Sequence, residues 1–446
     1  MKTILILIFF SGMSVYVSGA LVRLQIHPPA RTTAFLAIVV TTLFMLLRLQ
    51  LPIYLIIASV SFFDPRYWMP FLRLWLHQWI IMAGLIILII HYLHKRQRFF
   101  FRDLDLWLLG FFSTFLISLT NSPNLALGIK WITYFLIFLG AYYLFRLCIS
   151  DERELKRVII WLVICGVASS FISYTQAGMG NRVGSLVLKN PNALGNYLSM
   201  ILPMVIALGF FSTFSGWKKN LLVLGAAAII LSIILTYSRS SWLGTLLGLL
   251  VLFVVKPRIK YFLFLVILIS ILSSISTVRH RIFEDQADAG IVYRQSKIEL
   301  AYNMFKEKPI LGYGPGGFQA IAPTMEEWGI HAHSSIENLY LQMLAEGGLL
   351  QAGVFLGLII FVTRMGLKTI RVLPEGFLRA AMLGSLASFW AVLGIGIREN
   401  SLFFSLTNWL VGFHLAIMIK AREFAGLYDE DQEPASSGEE ETVSGE

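Results

Sequence analysis

The sequence predicts an all-α polytopic membrane protein with about 12 to 14 transmembrane helices and one large extracytoplasmic helical loop. Three observations predict this class. First, 57% of the 446 residues are hydrophobic and only 14% are charged, whereas a soluble domain has roughly 25% charged residues. Second, apolar runs such as 131–147, 158–174, 221–236 and 261–278 approach the ~20 residues that cross a bilayer as a helix, without the alternation of barrel strands. Third, basic residues collect in the short loops between these runs.

The distribution of positive charge predicts the orientation of the chain and argues against a nucleic-acid partner. The formal net charge is +10, with 36 Lys and Arg residues. About half of these lie in short loops, which the positive-inside rule places in the cytoplasm together with both termini. A nucleic-acid groove would instead gather positive charge on one folded surface. The loop residues are Lys95, Arg96, Arg98, Arg102, Arg153, Lys156, Arg157, Lys218, Lys219, Lys256, Arg258, Lys260, Arg364, Lys368, Arg371, Arg379, Lys420 and Arg422.

Residues 1–278 are predicted to form about 11 transmembrane helices. The first twenty residues, with Lys2, an apolar run and small residues at 18–20, have the features of a cleavable signal peptide. We favour a retained first helix, because the chain that follows is itself embedded in the membrane. The short apolar runs 33–47 and 52–63 are separated by only four residues. Cys148 and Cys165 fall in or beside apolar runs and predict core residues rather than a disulfide framework.

Residues 279–337 are predicted to form the extracytoplasmic loop. Ile298, Ala301, Tyr302 and Phe305 recur at helical spacing, which predicts an amphipathic helix with these residues on its apolar face. The charged residues Arg294, Lys297, Glu299 and Lys306 are expected on the remaining, solvated part of the helix. Pro309 should end this helix, and the glycine-rich segment 312–317 should form a tight loop. Its GxGxxG spacing lies outside a βαβ unit, so it does not predict a dinucleotide site.

Residues 338–422 are predicted to form about three further transmembrane helices. The remaining segment, 423–446, is acidic and rich in Ser, Gly and Glu. It is predicted to be a disordered cytoplasmic tail.

Three arginines are predicted to lie at the outer side of the membrane, opposite to the usual place for positive charge. Arg239 lies between two long apolar runs, Arg182 lies in a polar loop, and Arg294 begins the amphipathic helix. Each has an ordinary alternative: snorkelling to the headgroups for Arg239, headgroup contact for Arg182, and solvation for Arg294. Together they suit a phosphate ester, because a guanidinium offers a planar fork to phosphate oxygens.

His331, His333 and Glu337 lie close together before the chain re-enters the membrane. A helical turn there would place His333 and Glu337 on one face. The HExxH arrangement is missing, which argues against a metal site. A general base or an acceptor-orienting pair is the better interpretation, with ordinary interfacial histidines as the alternative. No metal and no cofactor are expected.

Four segments in order resemble the O-antigen ligase and polymerase family. They are 190–198 (NPNALGNYL), 237–244 (YSRSSWLG), 308–318 (KPILGYGPGGF) and 337–349 (ENLYLQMLAEGGL). The resemblance spans residues 176–362. It implies a metal-independent, inverting glycosyltransferase of the GT-C type, which moves a glycan from an undecaprenyl-diphosphate donor on the outer leaflet to an acceptor hydroxyl.

The resemblance also implies roles for individual residues. Arg182 and Arg239 match arginines expected to hold the diphosphate, and Arg294 matches the arginine of the loop helix. Where the family has a His-Asn pair, this chain has Glu337-Asn338, so either Glu337 or His333 is the candidate base.

Several functions remain open at this stage. The enzyme would be either a ligase with a lipid, glycan or protein acceptor, or a polymerase of repeat units. A transporter or flippase of the same lipid-linked glycan would show mid-membrane charges and internal repeats, which the sequence lacks. A non-catalytic membrane scaffold would tolerate changes of the arginines and histidines. Nothing in the sequence identifies the sugar.

Overall fold

The computed structural model describes residues 48–62, 76–96, 100–175, 182–184, 190–255, 289–322, 335–403 and 407–428, with backbone only at 62, 76 and 289–293. In this part of the chain all regular structure is helical. The α-helices are α1 Leu51–Phe62, α2 Leu76–Lys95, α3 Asp103–Ser118, α4 Leu125–Cys148, α5 Glu152–Tyr174, α6 Pro191–Phe211, α7 Trp217–Leu235, α8 Arg239–Val255, α9 Ala289–Glu307, α10 Gly317–Ile321, α11 Leu339–Val372, α12 Phe377–Gly396 and α13 Asn408–Phe424.

Eight of these helices, α2 to α7, α11 and α12, are long and apolar enough to cross a membrane, and α1 and α8 are shorter apolar helices. The predicted all-α polytopic class is thereby confirmed. The predicted count of 12 to 14 and the predicted domain limits stay predictions, because candidate runs in 1–47 and 256–288 and most of the tail lie outside the described residues.

Helices α6 and α12 form the centre of the bundle. Within their most apolar stretches, 94% of α6 and 83% of α12 is buried, against 28% of α7 at the periphery. Small residues allow α8 to approach α12 closely: a Cβ atom at Gly244 would lie 2.7 Å from the carbonyl oxygen of Ala391, and one at Gly248 would lie 3.0 Å from that of Ala387. This spacing of glycines is typical of close helix packing in membranes, where lipid gives no hydrophobic drive between helices. Cys148 and Cys165 are free and buried, as predicted.

The helices have two distinct ends. At the loop end, α5, α7 and α12 finish and α6, α8 and α11 begin. The opposite end, here called the basic end, carries most of the loop lysines and arginines. There Lys156 lies 5.1 Å from the ring of Phe214 and 5.7 Å from that of Phe377, which joins the starts of α5 and α12 to the α6–α7 loop.

A buried ion cluster lies at the basic end. Asp105 is fully buried and pairs with Arg146, and it accepts a hydrogen bond from the hydroxyl of Tyr142 at 2.8 Å. Glu423 of α13 joins the cluster through Arg146 at 3.8 Å and also pairs with Arg102 at 3.3 Å. The cluster therefore ties α3, α4 and α13 together.

Helix α9 is present as predicted and ends before Pro309, but its buried face differs from the prediction. Leu300, Ala301 and Met304 are buried, while Ile298 and Tyr302 are about half exposed. The buried face also contains Lys297, at 5% exposure. The prediction was wrong because it assigned a lysine to the solvated face, whereas Lys297 is neutralised by a carboxylate described below.

The glycine-rich segment forms a tight loop, as predicted, and pairs with a kink in α11. Backbone amides of Tyr313 and Gly314 donate to the carbonyls of Ala345 and Glu346 at 3.0 and 2.7 Å. In return, the amides of Leu349 and Leu350 donate to the carbonyls of residues 309 and 310. The kink lies at Gly348, whose φ of 63° is in the left-handed region that favours glycine. The loop is thus held on α11 by backbone groups and by the Glu346 carboxylate, which accepts a hydrogen bond from the amide of Phe318 at 3.2 Å.

Candidate functional site

The segment that carries Arg182 is attached to the turn between α7 and α8. Val183 donates its amide to the carbonyl of Leu235 at 3.2 Å. The Arg182 Nε atom donates to the carbonyl of Thr236 at 2.9 Å, and its terminal nitrogen bonds to the side chain of Asn192. Arg182 therefore lies beside the turn between α7 and α8. Arg239 is three residues after Thr236, where the same turn ends.

Arg239 is half-buried and is the first residue of α8. Tyr237, two residues before Arg239, has a φ of 48°, which is uncommon for a residue other than glycine. The backbone therefore turns sharply just before α8. Helix α6 begins next to α8: a Cβ atom at Gly195 would lie 2.9 Å from both the Ser241 Cβ and the Thr236 Oγ1. Two helix N-termini, each with the partial positive charge of its free amides, thus meet where Arg182 and Arg239 are located.

Arg294 of α9 pairs with Glu337, which lies just before the start of α11. The Arg294 Nε donates to the Glu337 carboxylate at 2.8 Å, and the Lys297 Nζ lies 3.3 Å from the second oxygen. The side chains of Arg294 and Glu337 are 43% and 37% exposed. Burial alone would raise the pKa of Glu337, but Lys297 and Arg294 outweigh it and hold that pKa below its ordinary value.

The segment after α12 joins these two regions. Asn338, which caps α11, donates its side-chain amide to the carbonyl of Ile397 at 2.9 Å. Asn400 bonds to Gln342 in the first turn of α11. Between them, Glu399 accepts a hydrogen bond from Asn196 Nδ2 of α6 at 2.5 Å. Residues 397–400 therefore contact the Glu337 segment on one side and the α6–α8 junction on the other.

Glu399 is held among neutral hydrogen-bond donors. Asn196 in turn accepts from the hydroxyls of Ser240 and Ser241 at 3.3 and 2.9 Å, the two residues that follow Arg239. Burial raises the pKa of Glu399, hydrogen bonds from Asn196, Ser240 and Asn192 lower it, and the negative charge of Glu337 raises it, with a net upward shift. Two carboxyl groups at the loop end thus have pKa values shifted in opposite directions.

The structure brings together the predicted residues Arg182 and Arg239, and it pairs Arg294 with Glu337. His331 and His333 lie outside the described residues. Sequence reasoning missed Glu399 and misplaced Lys297. For Glu399 the available signal was a carboxylate in a short polar segment between two apolar runs. Among the described residues, no group of three or more His, Cys, Asp or Glu side chains is arranged to hold a metal ion.

Comparison with known proteins adds a family to this geometry. Residues 221–362, less than half of the chain, match the O-antigen ligase family model. Arg239, Arg294 and Glu337 lie within the matched residues, whereas Arg182 precedes them and Glu399 follows them. No curated protein matches the chain. The family match, on a multi-pass membrane protein with this arrangement at its loop end, supports the assignment of the chain to an O-antigen ligase-like family.

Proposed function

We propose that this protein is a glycosyltransferase that moves a glycan from an undecaprenyl-diphosphate donor to an acceptor hydroxyl. The observation that carries the proposal is the position of Arg182 and Arg239 at the junction of two helix N-termini, inside or beside the segment that matches the O-antigen ligase family. Guanidinium groups and helix N-termini both favour a multiply charged phosphate. The diphosphate of a lipid-linked glycan is such a group.

The proposed orientation follows from charge. The basic end carries the loop lysines and arginines and is assigned to the cytoplasm. The loop end is then extracytoplasmic, so the donor would be bound at the outer leaflet of a bacterial cytoplasmic membrane. Both termini would be cytoplasmic.

In the proposed reaction, the acceptor oxygen attacks the anomeric carbon, and the bond from that carbon to the diphosphate oxygen breaks. The diphosphate leaves with the electron pair, and its negative charge is stabilised by Arg182 and Arg239. The acceptor proton passes to a base at the loop end, for which the sequence offers Glu337 or His333. Attack opposite to the leaving group inverts the anomeric centre. The proposal requires no metal ion and no cofactor.

The test is transfer of a radiolabelled glycan from undecaprenyl diphosphate by the purified protein in detergent containing EDTA. We expect wild type to consume the donor, and Arg182→Ala and Arg239→Ala to lose at least about 10²-fold in rate, since each removes one charge-stabilising donor. Arg153→Ala is the matched control, because Arg153 is an exposed arginine at the basic end. A single addition indicates a ligase and a ladder of products indicates a polymerase.

Two outcomes would overturn the proposal. Full activity of Arg239→Ala and Arg182→Ala would remove these arginines from the site. An inactive wild type that nevertheless moves the donor across reconstituted vesicles would identify a transporter instead.

A further inference from the structure

The described part of the loop end contains several carboxylates. Glu346 accepts hydrogen bonds from Gln342 and from the backbone amide of Phe318 and so holds the glycine-rich loop, whereas Glu337 and Glu399 have contrasting partners. Glu337 is paired with Arg294 and Lys297 on α9. An ion-paired carboxylate with a lowered pKa is a weak proton acceptor, because protonation would break both contacts. Glu337 is therefore better suited to fixing α9 against the start of α11 than to accepting a proton.

Glu399 has the opposite environment. Its carboxylate is held by the amide of Asn196, and Asn196 is itself oriented by the hydroxyls of Ser240 and Ser241. These neutral partners orient the group without neutralising it. Burial and the nearby Glu337 raise the pKa of Glu399, and a base whose pKa approaches the working pH transfers protons more effectively. In many enzymes, two neighbouring carboxyl groups take different roles in proton transfer because their surroundings shift their pKa values apart.

The position of Glu399 also places it next to the proposed diphosphate site. Asn196 and Ser240 connect it to α8, which begins at Arg239, and Asn192 connects it to Arg182. A base must lie near the anomeric carbon, which is bonded directly to the diphosphate. Glu337 lies near enough to Glu399 for its charge to act on it, but its own carboxylate is bonded to Arg294 and Lys297 on α9 rather than to the α6–α8 junction.

Resting on the proposed function, we infer that Glu399 takes the proton from the acceptor hydroxyl as its oxygen attacks the anomeric carbon. The O–H bond of the acceptor breaks as its proton passes to Glu399, and the acceptor oxygen forms a bond to the anomeric carbon. The bond from that carbon to the diphosphate oxygen breaks, and the diphosphate leaves with its electron pair. The carboxylate of Glu399 becomes a carboxylic acid. Glu337 is a positioning residue that holds α9.

The experiment compares initial rates of Glu399→Gln, Glu399→Ala and Glu337→Gln in the transfer assay, with Glu299→Gln as control. Glu299 is an exposed carboxylate on α9. We expect Glu399→Gln to lower kcat by roughly 10²- to 10⁴-fold, the usual contribution of a general base, with the KM for donor changed less than about threefold. A glutamine can still accept the hydrogen bond from Asn196, so this variant should keep the wild-type melting temperature.

Rescue by formate distinguishes a missing base from a structural defect. Formate is a small carboxylate that can replace the Glu399 side chain only in Glu399→Ala, where the shorter side chain leaves a cavity. Added sodium formate should restore transfer by Glu399→Ala at least about tenfold, as expected for external replacement of a general base, and should leave Glu399→Gln unchanged. Glu337→Gln should lose less activity, because residue 337 takes no proton in this scheme and the single oxygen of glutamine still accepts a hydrogen bond from Arg294 or from Lys297.

Failure of this inference is distinct from failure of the proposed function. If wild type transfers glycan and Glu399→Gln retains its kcat, Glu399 is not the base while the transferase function stands. The same conclusion follows if Glu337→Gln, or a His333→Ala variant, loses kcat and Glu399→Gln does not. If wild type transfers no glycan, the proposed function itself fails.

Discussion

At the residue scale, the contact between Glu337 and its two cations is the most informative feature. Arg294 and Lys297 approach different oxygens of one carboxylate, and Lys297 is almost fully buried. Burial of a lysine is costly unless its charge is paired. The carboxylate therefore makes it possible for this face of α9 to pack on the bundle.

Glu337 should make stability depend on pH. Lys297 and Arg294 lower its pKa in the folded protein, so its stabilising contribution is present above the ordinary carboxyl pKa and is lost as pH falls through the lowered value. Because the Arg294–Glu337 pair is more than a third exposed, we expect at most about 1 kcal/mol. Thermal unfolding of wild type and Glu337→Gln should differ at pH 7 and converge toward pH 3. A constant difference across this range would contradict the assignment.

The sequence predicted three site arginines but not the residue we infer to be the base. Arg182, Arg239 and Arg294 are conspicuous because positive charge is unusual on the predicted outer side. Glu399 touches Asn196, which lies 203 residues earlier in the chain. No local sequence pattern indicates a contact between residues so far apart in the chain. The direction of the helices between Asn196 and Glu399 has to be known before these two residues can be placed together.

At the element scale, the pairing of the glycine-rich loop with α11 depends on the kink at Gly348. A Cβ atom there would lie 2.7 Å from the backbone nitrogen of Leu311 and would contact the carbonyl of Ile310. The left-handed φ adds strain for any other residue. The kink and the loop are therefore one structural unit.

Gly348→Ala should lower stability by more than about 1 kcal/mol, because both the backbone conformation and the close contact oppose a side chain. Gly353→Ala is the control, since Gly353 lies in the same helix with open space around it. That change should be neutral or slightly stabilising, by about 0.5–1 kcal/mol. Melting temperatures of the two variants in one detergent decide the comparison, and equal values would show that the kink tolerates a side chain.

The apolar helices could be predicted from length and hydropathy, because a bilayer requires long uninterrupted runs. The buried face of α9 could not. Periodicity assigned Ile298 and Tyr302 to it, whereas the structure buries Lys297 instead. A cation on a buried face becomes acceptable only when a partner from a distant segment supplies the opposite charge.

At the scale of the whole molecule, the two ends of the bundle differ in the charged groups that they contain. The loop end collects the half-buried arginines and carboxylates proposed to act on substrate. The basic end contains the fully buried pair of Asp105 and Arg146, with Glu423 beside it. Removing one partner of a buried pair leaves an uncompensated charge, and the expected cost is about 3–5 kcal/mol.

Arg146→Met should therefore destabilise the protein strongly while leaving the transfer rate per folded molecule unchanged. Arg157→Met is the matched control, because Arg157 forms an ion pair with 70% of its own side chain exposed. It should cost less than about 1 kcal/mol. Folded yield and melting temperature measure the first effect, and the transfer rate normalised to folded protein measures the second. A rate that falls with Arg146→Met would show that the two ends are coupled.

The pairing between the glycine-rich loop and α11 has a consequence for how freely this sequence can diverge. The hydrogen bonds between residues 309–314 and residues 345–350 join backbone atoms, and the side chains of Ile310 and Leu349 are 69% and 56% exposed. The Glu346 carboxylate adds a hydrogen bond from the amide of Phe318. Saturation mutagenesis should accordingly find wide tolerance at residues 310 and 349 beside near-intolerance at 312 and 348. A loop grafted from another protein should then be accepted if it brings the same glycine spacing together with side chains that fit the buried positions 315 and 318.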